Sequence, residues 1–146
     1  MIDVEARKKA AEVVRHFISG RMTNFDFEKN MPATADLAVR AIEESLWLVY
    51  DDFEKHKLDA EWALPSCTKS QMVRWVMFLH TDEEYHWPTF SYPGLRPLKH
   101  GFVSRLLNKP RREHEFMSSG EYDVWPFISK EQFEHAKQNP VLLAAS

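Results

Sequence analysis

Thr34-Ala35-Asp36-Leu37-Ala38-Val39-Arg40-Ala41-Ile42-Glu43-Glu44-Ser45-Leu46-Trp47-Leu48-Val49-Tyr50 is the stretch on which the fold turns. Ala38, Ile42, Leu46, Val49 and Phe53 follow at steps of four, four, three and four, which is the spacing of one helix face. Thr34 or Asp36 can cap its start. The pattern therefore predicts the longest helix of the chain, running through Tyr50 and on toward His56. Trp47 breaks that pattern. At 100° per residue it lies about 140° from the centre of the stripe, among Arg40, Glu43 and Glu54. A second layer of protein covers such a ring, or a partner does.

Helical spacing recurs on both sides. Ala6, Ala10, Val13, Val14, Phe17 and Ile18 predict a helix over 4–18, with Gly20 as its stop. Thr23 starts a short helix ending before Pro32, with Phe25 or Phe27 turned inward. Asp59 to Pro65 reads as a loop. Ser66 or Thr68 then caps a helix from Lys69 to about His80, whose centre Met72–Leu79 is apolar nearly all round. A buried strand over 75–79 competes with it, because a short apolar run has no diagnostic period. Gly101–Asn108 and Glu113–Ser119 read as further short helices, and Ser129-Lys130-Glu131-Gln132 is a capping box opening a last one. The expected fold is one all-α domain spanning 1–146, with five to seven helices and a long proline- and aromatic-rich crossover. The alternative is α+β with a small sheet.

That crossover is bounded by two similar words, Glu84-Tyr85-His86-Trp87-Pro88-Thr89-Phe90 and Glu121-Tyr122-Asp123-Val124-Trp125-Pro126-Phe127. Proline keeps the preceding residue out of the α region, so both tryptophans sit on extended or turn backbone. From there a ring plugs the core or anchors a partner. The plug is the preferred role, above all for Trp125.

Charge and cysteine narrow the classes. The net charge is −3, with 11 Lys/Arg against 16 Asp/Glu over residues 1–90 and 8 against 6 over 91–146. The acidic part is no nucleic-acid surface, and six spread cations from Arg96 to Arg112 are a solvated face. A lone Cys67 forms no internal disulfide and fits a reducing compartment. Charged residues from Asp3 onward do not read as a signal peptide, and no apolar run approaches the ~20 residues of a membrane span. A cytoplasmic location is expected.

Chemistry-bearing clusters are sparse. His80 and Glu84 share a face at i, i+4 if their helix continues, and with His86 they could begin a metal site, but no His-Glu-x-x-His supplies a third ligand. Asp52 and His56 could pair as carboxylate and imidazole, but an exposed i, i+4 ion pair is the preferred reading. Phosphate loops, nucleophile elbows and dinucleotide fingerprints are missing. No catalytic residue, metal ligand or cofactor is assigned.

Phe17-Ile18-Ser19-Gly20-Arg21-Met22-Thr23-Asn24, Trp47-Leu48-Val49-Tyr50-Asp51-Asp52-Phe53 and Tyr122-Asp123-Val124-Trp125-Pro126-Phe127 together carry a resemblance. The chain resembles small bacterial proteins of the toxin-immunity type. That resemblance implies a non-enzymatic protein that neutralises a cognate toxin by direct contact, and it transfers no site residue. A net-negative first 90 residues would steer toward a basic partner such as a nuclease. Trp47 with Glu43, Glu44, Asp51 and Asp52 forms one candidate partner patch; Tyr85, Trp87, Tyr122 and Trp125 form another. The alternatives are a small hydrolytic or metal-assisted enzyme using His80, Glu84 and His86, and a homo-oligomeric scaffold.

Overall fold

Helix α1, Val4–Ile18, starts where the Asp3 carboxylate accepts the Ala6 N–H at 3.0 Å and buries the predicted stripe from Ala6 to Ile18. Its end is a Schellman turn: Gly20 N–H reaches Phe17 O, and Arg21 N–H reaches His16 O. Gly20 takes φ +76°, where a side chain is strained, and a Cβ would also come within 3.3 Å of Leu58 O. Thr23 caps α2, Asn24–Asn30, by accepting from Asp26 N–H. Phe27, not Phe25, turns inward and stacks on Phe17 with centroids 4.6 Å apart.

The computed structural model describes residues 1–49, 53–90, 93–95 and 109–138. It is all-α, with no strand among the described residues. The remaining α-helices among the described residues are α3 (Leu37–Leu46), α4 (Ser66–Leu79), α5 (Lys109–Met117) and α6 (Lys130–Lys137). The rival strand over 75–79 is thus helix. α4 packs along α1, which also meets α2 and α3; a 3-10 turn at Pro93–Leu95 closes against α3. None of the described helices is long and apolar enough to cross a membrane.

Three boundaries differ from expectation. α3 ends at Leu46 and tightens into a 3-10 turn over Trp47–Val49 instead of running through Tyr50. Phe53, placed in the core stripe, is 97% exposed. The cause lies in α2. Buried Asn24 donates to Glu54 O at 3.0 Å, its Oδ1 accepts His56 N–H at 2.8 Å, and its own N–H reaches His56 O at 2.9 Å. A continued helix would carry residue 56 roughly 15 Å beyond Leu46, out of reach of those bonds. α4 starts at Ser66, after Pro65 and with no side-chain cap, so neither Ser66 nor Thr68 plays the capping role. α5 begins at Lys109 and takes Pro110 into its first turn, where a missing N–H costs nothing. The expected 101–108 helix lies outside the described residues.

α6 follows its capping signal in half. Ser129 Oγ accepts Gln132 N–H at 3.2 Å, but the Gln132 amide oxygen takes Ile128 N–H, and its nitrogen donates to Glu83. That glutamine ties the last helix to the segment after α4.

A buried ion pair joins three elements near their ends. Arg7 on α1 and Asp36 capping α3 are 3% and 1% exposed and pair through Nε and Oδ2 at 2.8 Å. The same guanidinium donates to Thr81 O and Glu83 O beyond the end of α4, and its carbon stands 5.3 Å from the centroid of Phe78. A planar fork with five donors can hold three directions at once.

Candidate functional site

The two Trp-Pro words meet each other. Trp125 donates its indole N–H to the Tyr85 hydroxyl at 3.2 Å, and Trp87 donates to Phe127 O at 3.2 Å. Each word therefore satisfies the buried donor of the other. Trp125 stands edge-on to Trp75 of α4, with centroids 5.4 Å apart, and Arg74 clamps the Trp125 carbonyl at 2.8 Å. Tyr122 donates to Pro93 O at 2.6 Å, which ties the second word to the turn lying on α3. At 3% and 1% exposure, Trp87 and Trp125 have almost no surface to give a partner. Grouping them with Tyr85 and Tyr122 as a surface patch is corrected on this point: the four form an internal brace, with only the tyrosines half-buried.

The other patch divides along α3. Glu43 and Trp47 lie on one strip, and Leu37, Ala41 and Glu44 on another about 105° around the helix, with Arg40 between them. Trp47 is half-buried, its ring edge-on to Phe27 at 6.5 Å. Burial pushes the Glu43 carboxyl above its ordinary value, while Arg40 pulls it back. Asp51 and Asp52 lie outside the described residues.

The second strip edges a cleft. Leu37, Ala41 and Glu44 form one wall; Tyr85, Phe90 and Pro93 face them across it. The cleft encloses about 480 Å³ of empty space, counting the solvent at its mouth. Arg40, Trp87, Pro88 and Thr89 also line it. Burial pushes the Tyr85 phenol well up; the Trp125 N–H opposes this, and Tyr122 and Glu44 add to it. The phenol therefore stays a neutral O–H donor throughout the working range. Glu44 from one expected patch and Tyr85 from the other thus share a site. Leu37 and Ala41 escaped notice in the sequence because they lie outside the core stripe.

His80, Glu84 and His86 do not share a helix face. α4 stops at Leu79, with His80 as its C-cap, and the chain turns at Thr81, whose hydroxyl donates to Phe78 O at 2.7 Å. Among the described residues no three His, Cys, Asp or Glu side chains gather in the geometry of a metal site. His56 is likewise off any helix. Its two ring nitrogens contact Glu54 O and Val49 O, and its ring stacks on Trp62 at 4.0 Å, so neither nitrogen is turned to a substrate.

Burial, with the Arg15 charge added, holds the His80 pKa below its ordinary 6.5. The unfolded chain therefore binds this proton more readily, and stability should fall as pH drops through 6.5. Thermal unfolding between pH 7.5 and 5.5 should show that decline in the wild type and a flatter profile in His80→Gln; parallel profiles would refute it.

No protein-family model, curated protein or solved structure matches the chain.

Proposed function

We propose that this is a non-enzymatic binding protein of the immunity type, which neutralises a cognate bacterial toxin by direct contact through the solvent side of α3. The observation that carries the reading is the placement of Glu43 and Glu44 on the outward side of α3, with Trp47 just past its end and Glu44 lining a cleft. A half-buried tryptophan bordered by carboxylates is the composition of an interface hot spot. The acidic balance of residues 1–90 suits a basic toxin domain and speeds its approach. Occlusion of a toxin's active site asks no chemistry of this chain.

Co-expression with the product of the adjacent open reading frame tests the reading. Growth should be restored, and a stoichiometric complex should co-elute, with light scattering separating it from self-association. Trp47→Ala and Glu43→Lys, each checked for folding by circular dichroism, should weaken the complex at least about tenfold, as hot-spot truncations do. Wild-type affinity in both folded variants would remove the α3 face from the interface.

A further inference from the structure

Resting on the reading of a protein partner, we infer that the cleft between α3 and the 85–93 segment receives an extended stretch of that partner, which sets an arginine or lysine against Glu44 and an apolar side chain over Ala41 and Phe90. The charge of the site argues for the cation. Glu44 is half-buried, and among the described residues its carboxylate accepts no hydrogen bond and has no cation at ion-pair distance. Arg40, one turn earlier, is an exposed residue whose charge acts on Glu43. A guanidinium or ammonium brought to this carboxylate forms a charge-assisted bond that nothing among the described residues supplies.

A second unused group lies across the cleft. The Tyr85 hydroxyl oxygen accepts from Trp125, but its own proton meets no acceptor among the described residues. A backbone carbonyl of the bound stretch would take that proton. The apolar requirement comes from the walls, where Leu37 is 49% exposed beside Ala41 and Phe90. Pro88 and Pro93 put prolines in the wall that lack N–H groups, so an added β-strand finds no regular ladder and recognition passes to side chains. In an extended chain residues i and i+2 point the same way, about 7 Å apart, which suits one apolar and one basic side chain entering together.

The test is a titration of the isotopically labelled full chain, followed by amide shifts, with two probes: acetyl-Ala-Leu-Pro-Arg-Ala-amide and the same peptide with Glu in place of Arg. The arginine peptide should move the Ala41, Glu44, Tyr85 and Thr89 amides and bind at least tenfold more tightly than the glutamate peptide. Glu44→Gln, which keeps the shape of the side chain, should remove most of that preference. Equal binding of the two peptides, shifts confined to other surfaces, or an undiminished preference in Glu44→Gln would each overturn the inference. A co-expressed complex that forms while the peptides show no preference overturns the cleft alone. Failure to form any complex overturns the partner reading itself, whatever the peptides do.

Discussion

Asp36→Ala should lower the unfolding free energy by about 3–5 kcal/mol, because it strands a buried guanidinium. Arg7 is 3% exposed, and its Nε and Nη2 would face an empty site while Nη1 stayed on Thr81 O and Glu83 O. The same carboxylate accepts the Ala38 N–H at 2.9 Å and the Asp3 N–H at 2.9 Å, so its loss also uncaps α3 and loosens the start of α1. Thermal denaturation should show a fall in Tm of roughly 8–15 °C for a chain of this size. Arg7→Met combined with Asp36→Ala should cost less than the two single changes added together, since neither charge is then left alone. Additive losses would mean that the two residues contribute through separate contacts.

The pair also sets an acid limit. Burial alone would raise the Asp36 pKa, but the bonds from Arg7, Asp3 and Ala38, with the Arg7 charge, outweigh it and leave the group below its ordinary 3.8. Asp3 is lowered as well, through the Ala6 N–H and the Thr34 hydroxyl. A depressed carboxylate contributes stability that is complete above 3.8 and is lost as pH falls through the folded value. Stability should therefore decline below about pH 4, with a shallower acid slope in Asp36→Asn.

Gly94→Ala should cost about 2–3 kcal/mol, the upper part of the range for overpacking. A Cβ on Gly94 would stand 2.6 Å from Trp75 Cζ2, 2.8 Å from Trp125 Cζ3 and 2.9 Å from Ser45 Oγ. None of the three is a floppy chain end. Both rings are buried, and Ser45 Oγ is held between Gly94 N–H and Ala41 O at 2.8 Å on each side. Relief therefore requires the turn to lift from α3 or the tryptophan brace to shift. Near-ultraviolet circular dichroism should report the changed tryptophan packing along with a lower denaturant midpoint. An alanine variant with wild-type midpoint and spectrum would show that the turn is not pressed onto these rings.

Neither effect was legible in the chain. Asp36 is readable as a cap because its targets, Ala38 and Val39, follow within three residues. Its pairing with Arg7 spans 29 residues, and Arg7 occupies a charged position on the flank of an apolar stripe, where solvent is the ordinary expectation. Gly94 reads only as a breaker among prolines; that two tryptophans close over it depends on elements 19 and 31 residues away. Trp47 shows the same limit. Its departure from the core stripe is visible in the sequence, whereas its edge contact with Phe27 spans 20 residues.

By itself the sequence determined the all-α class, the span of α1, the caps at Thr23, Asp36 and Ser129 and the stop at Gly20. Each of these rests on bonds or periodicity within about four residues, so the local chain contains all the information. Tertiary structure alone decided that α3 ends at Leu46, that Phe53 is outside and Arg7 inside, and that Trp87 and Trp125 satisfy each other's word. It also brought Glu44 and Tyr85 to one cleft. Those outcomes depend on which distant donor meets which acceptor when apolar faces close. A helix boundary or a buried charge gives way to that pairing, because leaving a buried polar group unpaired costs more than a turn of helix is worth.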